Sequence, residues 1–306
     1  MHLILDILRD GLSYQSALAI QADWYEDQGY PLAAAALRLP QGRLAADWKR
    51  FLHLTREGEV VDFSDIANPY PVPSDLRAVA IAVGHHHALA LTQNGQVRAW
   101  GDNKSRQCEV PDGLRAVAIA AGTNHSLALT REGEVVAWGA NLYRQCNVPA
   151  DLRAVAIAAG AYHSLAITSG GEVVSWGHDS LRQCVVPDGL HAVAIAAGDL
   201  HSVALTAKGE VVVWSDTAAN QCPVPDGLRA IAIAAGCRHS LAITPEGQVV
   251  AWGDNSLLRQ CSAPNDLKAV AIAAGWLHSL ALTPQGEVVV WGARGYHRTH
   301  ALAGSV

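Results

Sequence analysis

The stretch RAVAIAAGTNHSLALTREGEVVAWGANLYRQC (residues 115–146) decides the fold, because it returns along the chain in register. Its histidine recurs as His87, His125, His163, His201, His239 and His278, at intervals of 38, 38, 38, 38 and 39. Tryptophans keep step at Trp100, Trp138, Trp176, Trp214, Trp252 and Trp291. A turn glycine occurs seven times, at Gly58, Gly95, Gly133, Gly171, Gly209, Gly247 and Gly286. Seven hairpins follow from this count, the first degenerate, with Phe63 in the tryptophan position. A fixed period of this length marks a repeat architecture.

Within one copy the apolar pattern has period two. His125, Leu127 and Leu129 share one face of a strand, and Ser126, Ala128 and Thr130 the other. Both faces are apolar enough to be covered, one by large and one by small side chains. Arg131-Glu132-Gly133 reads as a three-residue hairpin turn with glycine at positive φ. No apolar spacing of 3.6 residues is visible in the repeat. Roughly 38 residues per unit leave room for four short strands. The expected fold is all-β, a seven-bladed β-propeller over residues 46–306, which covers both faces of every sheet. Six inner strands of the VAIAAG type are plain. For the seventh, HALAGSV (300–306) is the first choice, and a degenerate strand at 43–50 competes with it. Residues 1–45 read as a small helical segment that caps the propeller, with LILDILRDGL, YQSALAIQADWYED and LAAAALRL as its helices.

The pattern GxxHSLALTxxGEVVxWGxNxxxQ resembles the regulator of chromosome condensation (RCC) repeat. The VPxxLRAVAIAAG link is similar to the short bacterial form of that repeat, a group that includes a propeller β-lactamase inhibitor. The resemblance spans about residues 51–300 and implies a seven-bladed propeller. Proteins of this kind serve as exchange factors, inhibitors and photoreceptors, so fold alone does not choose a function. Ala22-Asp23-Trp24, Glu26, Gly29 and Pro31 also resemble a short segment that accompanies repeats in some bacteria.

Composition narrows the classes. Half of the 306 residues are hydrophobic and 16% are charged, which excludes a disordered chain. A formal net charge of -6 and the lack of a long basic run argue against nucleic acid as a partner. No uninterrupted apolar run is long enough for an ordinary membrane span. Asp6, Arg9 and Asp10 come too early for a secretory signal, so a cytoplasmic monomer with reduced thiols is expected.

The histidine series suggests catalysis or metal binding, but one histidine per blade at equal spacing reads better as packing. Adjacent strand residues such as His125 and Ser126 point to opposite faces, so they form no local nucleophile–base pair. A histidine bonded to backbone near the strand start is expected. His85-His86-His87 and the pair His297/His300 are the remaining metal candidates, and neither supplies a readable tetrahedral set. Cys108, Cys146, Cys184, Cys222 and Cys261 recur once per blade and read as buried small hydrophobes. Cys237 lies in a variable turn and is expected to be the accessible thiol. No phosphate-binding glycine loop, dinucleotide fingerprint or nucleophile elbow occurs. No cofactor, metal or enzymatic activity is expected.

Positions that differ between copies are free to carry function. One such pair precedes each repeat histidine, and a second set follows each tryptophan, at 102–105, 140–143, 178–181, 216–219, 254–258 and 293–297. Antiparallel connectivity puts both sets at one end of the propeller. Tyr143, Tyr162, Leu181, Leu200, Arg238, Trp276 and Leu277 lie there and form the expected partner-binding face. The expected function is a non-enzymatic propeller that binds a protein partner. The resemblance adds enzyme inhibition and small-GTPase regulation as versions of it. The alternatives are a metal-binding or enzymatic propeller using surface histidines, and a scaffold with no dedicated site.

Overall fold

The computed structural model describes residues 14–38, 43–47, 50–64, 70–215, 223–255, 259–292 and 298–300. Seven antiparallel sheets follow one another along the chain. Their inner strands are Leu44–Asp47, Ala80–Val83, Ala118–Ala121, Ala154–Ala159, Ala194–Ala197, Ala232–Ala235 and Ala271–Ala274. Each packs against the next, and Leu44–Asp47 packs against Ala271–Ala274, which closes the ring. The result is a seven-bladed propeller.

Closure differs from the first expectation. The inner strand of the first blade is Leu44–Asp47, paired with Arg50–Leu54. Arg298–His300 instead adds a fourth strand to the last blade, pairing with Val288–Val290. Residues 301–306 lie outside the described residues. Of the stretch HALAGSV (300–306), first choice for closing the first blade, only His300 is described, and it pairs with Val288 in the seventh blade. Leu44 and Ala46 match the inner strand's alternation and pack with Ala271, Ala273 and Leu280 of the last blade.

Each repeat leaves room for four strands, but among the described residues the other blades show three. Where a fourth would run, the chain passes through Val110-Pro111 or its counterparts. Proline has no N–H to donate to a ladder. Pairing there shrinks to single bridges such as Glu172↔His191.

The second strand of each repeat is buried on both faces, as its pattern implies. Leu127 and Leu129 pack against Ala166 and Trp176 of the following blade. Leu89 and Leu91 pack against Ala128 and Trp138 in the same way. Large side chains of one sheet thus fill the space left by small ones on the next. Gly122 shows how tight the ring is. A Cβ there would overlap the Gly160 carbonyl of the next blade and the ring of its own His125. The hairpin glycines have positive φ, 80° at Gly133.

The helices Tyr14–Asp27 and Pro31–Arg38 lie at the hairpin-turn end. Leu32 abuts Gly209 in the hairpin of the fifth blade. Ala17 and Leu18 pack with Val155 and Ala192, and Ala22, Tyr25 and Ala33 with Val193 and Ala230. Proline at the first helical position suits the start of the second helix. The LILDILRDGL segment lies outside the described residues. No helix among the described residues is long and apolar enough to cross a membrane.

Candidate functional site

The histidines belong to a buried device between blades. His87 Nε2 lies 3.0 Å from Ser126 Oγ on the next blade. The same contact joins His125 to Ser164, His163 to Ser202, His201 to Ser240 and His239 to Ser279, at 2.9 to 3.1 Å. Ser126 Oγ donates to the Gln107 carbonyl at 2.9 Å, and Trp138 Nε1 donates to the same oxygen at 2.9 Å. Gln145, Gln183 and Gln260 receive matching pairs of bonds. Because Ser126, Ser164, Ser202 and Ser279 spend their protons on carbonyls, the histidines facing them must supply the Nε2–H. Burial holds His87 down to about 3 and His125 to about 4, so the rings are neutral.

This corrects two readings. Five of the six histidines bond the neighbouring blade's serine rather than backbone near their own strand start, while His278 bonds the backbone of Asp47 on the first blade. Histidine and serine do meet, across blades instead of along the strand. The pairs are sealed from solvent, and the hydroxyl is committed to a carbonyl, so they offer no free nucleophile.

The other histidine candidates do not converge. His85 and His86 stack at 4.7 Å, whereas His87 is buried inside. His297 lies outside the described residues, as does the side chain of His300. Among the described residues, no group of three His, Cys, Asp or Glu side chains could hold a metal ion.

The cysteines also differ from expectation. Cys108, Cys146 and Cys184 are only partly buried, and each thiol donates to a carbonyl of its own loop, at 3.4, 3.2 and 3.3 Å. Cys237 is the buried one. Its turn faces the central channel, which is lined by inner-strand glycines and alanines with Thr123, Asp199 and Asp47. Burial and the neighbouring Asp199 push its pKa up, and burial raises that of Asp199. Cys222 lies outside the described residues.

The variable loops do share one end of the propeller. The backbone N–H of Asp102 donates to His86 O, that of Ala140 to Asn124 O, and that of His178 to Tyr162 O, each at 2.8 to 2.9 Å. These bonds, with that of Asp254 to Arg238 O, tie four post-tryptophan loops to the turn before the histidine. Tyr143 and Tyr162 come together with ring centroids 5.1 Å apart, and Tyr143 stacks edge-on against His178 at 4.6 Å. Tyr143, Tyr162 and Arg238 are exposed, while Leu181, Leu200, Trp276 and Leu277 are half-buried. Trp276 leans toward His85, ring centroids 6.5 Å apart. Arg238 lies 3.9 Å from Asp254. Sequence reading did not single out Leu142, which is 91% exposed, or His178. Both stand in the divergent post-tryptophan sets, and an apolar residue in a polar turn was the available signal. The sets 216–219 and 293–297 lie outside the described residues.

Among curated proteins, no sequence matches this chain. Solved structures with the same fold include the CRINKLY WD40 ectodomain of the Arabidopsis thaliana receptor kinase ACR4. It is 21% identical with a TM-score of 0.71, over 85% of this chain and 98% of that one. The ectodomain of the Physcomitrella patens receptor kinase CR4 is 24% identical at TM-score 0.71, over 82% and 73%. Human WBSCR16 is 18% identical at 0.64, over 82% and 86%. The model of the regulator of chromosome condensation (RCC1) repeat matches residues 78–107, 116–145, 154–183, 192–221, 230–257 and 269–297, more than half of the chain. With its seven blades and its histidine and tryptophan in register, the chain belongs to the RCC1 repeat family.

Proposed function

We propose that this propeller is a non-enzymatic binding module that holds a protein partner on its variable-loop face. The observation that carries the reading is the exposed cluster of Tyr143, Tyr162 and Leu142 with His178 beside it. The repeat does not require these side chains, since other copies hold different residues there. Tyrosine supplies large contact area at low entropic cost, and aromatic groups are enriched at the centres of interfaces. The chain's own helices occupy part of the opposite end. The neutral, sealed histidine–serine pairs support a binding role over catalysis. Inhibition of an enzyme or regulation of a GTPase would use this same face.

A photo-crosslinking side chain placed at Leu142 tests the reading in extracts of the source cells. A specific protein adduct is expected there and not from the same group at Lys208, in the hairpin turn at the other end. Equal adducts from both positions, or none from Leu142, would overturn it.

A further inference from the structure

Four loops on this face share a residue that the blade does not need. Arg106, Arg144, Arg182 and Arg259 each precede the buried glutamine that anchors the next blade. Their φ angles are 63°, 64°, 54° and 58°, in the left-handed region. Glycine or asparagine is favoured there, and a longer side chain adds strain. The fifth copy holds Asn220 at this place in the sequence.

The residues just before vary freely: Lys104-Ser105, Leu142-Tyr143 and Ser180-Leu181. The arginine stays. The glutamine beside it receives the tryptophan and serine bonds, and the cysteine after it bonds a loop carbonyl, so both have packing reasons. The arginines have none of comparable kind. All four are exposed. Arg106 lies 4.0 Å from Glu109, an open contact that contributes little. Among the described residues, Arg144, Arg182 and Arg259 make no ion pair. Strain retained without a packing gain is a mark of function.

Charge on the face agrees. The whole chain is acidic, at -6. On this face the Asp102 and Asp254 side chains are only 18% and 15% exposed, and although Asp179 and Glu109 are exposed, the exposed arginines and lysine outnumber them among the described residues. Lys104 and Arg238 add exposed positive charge.

We infer that this arginine rim recognises a carboxylate-rich surface on the protein partner, with Tyr143 and Tyr162 as the apolar contact inside it. The planar guanidinium fork matches carboxylate geometry, and a cationic face selects and steers an acidic surface. The inference rests on the loop-face reading above and narrows its partner by chemistry.

Fluorescence anisotropy on the full chain tests it, with labelled poly-L-glutamate and labelled oligodeoxythymidine as probes. Poly-L-glutamate should bind, and more weakly as salt rises. The variant R106N/R144N/R182N/R259N should bind it roughly 10-fold more weakly. Its melting temperature should equal or exceed the parent's, because asparagine suits the left-handed backbone. If the fourfold variant melts lower, R144N and R182N singly should each still weaken binding about twofold. Absence of poly-L-glutamate binding, unchanged binding by these variants, or tighter binding of oligodeoxythymidine overturns the inference. Should it fall while crosslinking from Leu142 still depends on Tyr162, the loop-face reading stands. Loss of both removes that reading as well.

Discussion

Phe51 and His278 meet edge to face, ring centroids 4.2 Å apart at 82°, where the first and last blades join. At five other junctions the repeat histidine bonds a serine on the next blade. Phe51 takes the place of that serine, opposite Phe63 as Ser126 stands opposite Trp138. An aromatic contact, together with a hydrogen bond from His278 to the Asp47 backbone, thus closes the ring where the serine partner is missing. Phe51→Ala should cost roughly 2 kcal/mol, less than a fully buried phenylalanine, because Phe51 is half-buried. Urea unfolding would show a lower midpoint, and a change under about 0.5 kcal/mol would mean that this contact does not hold the closure.

Ser126→Ala tests the inter-blade device itself. It removes the acceptor for the His87 Nε2–H and leaves that donor buried. Such an orphan costs about 1–3 kcal/mol. Exchanging Ser126 for alanine should therefore lower stability far more than its small loss of volume would. If Ser126→Ala and the exposed Lys208→Ala unfold alike, the histidine–serine pairs are incidental.

Acid should unfold the propeller before most carboxylates titrate. The six repeat histidines have folded pKa values of about 3 to 4, held down chiefly by burial, against an ordinary value of 6.5. Well above pH 6.5 both the folded and unfolded chains hold these rings neutral, and the stability is fully present. Below it the unfolded chain binds protons that the folded one refuses. Stability then falls toward pH 4, by up to about 1.4 kcal/mol per histidine per pH unit. Unfolding free energy measured at pH 8, 6.5 and 5 should fall at each step, by about 0.4 kcal/mol per histidine over the first and by more over the second. A level profile down to pH 5 would contradict the buried neutral rings.

Thiol labelling should be slow throughout, with Cys237 slowest. Burial raises Cys108 and Cys146 to about 11 and Cys184 to about 12, so little thiolate exists at neutral pH. Cys237 is in addition buried beside Asp199. Mass spectrometry after brief alkylation at pH 7.5 would give the order. Cys237 modified ahead of Cys108 would reverse it.

That order could not be read from the chain alone. Turn position suggested exposure for Cys237, but inner turns of a closed ring face the channel, and only the ring's curvature shows this. The repeat itself was legible, because alternating Leu and Ala within HSLAL dictates sheets covered on both faces. Closure was legible only as a choice of two, since Leu44–Asp47 keeps the alternation but not the VAIAAG residues or the glycine that ends them. The histidine–serine link was hidden for a geometric reason: its partners stand 39 residues apart on different sheets, although each lies next to the other's counterpart in sequence. On the loop face, connectivity placed the right loops together. It did not tell which side chains turn inward, and Trp276 does so in part.

The tyrosines are therefore the sharper test of the face. Tyr143 and Tyr162 are 44% and 36% exposed, and they touch each other and His178 rather than the core. Tyr162→Ala should leave the melting temperature within about 2 °C, as a surface change does. It should weaken capture of the Leu142-crosslinked partner roughly 30-fold, the effect of losing about 2 kcal/mol at an interface centre. Trp276→Ala should lower both binding and stability, because its half-buried ring also packs toward His85. Glu132→Ala, in the hairpin turn at the opposite end, should change neither. A Tyr162→Ala protein that melts normally and captures the partner normally would move the interface off this face.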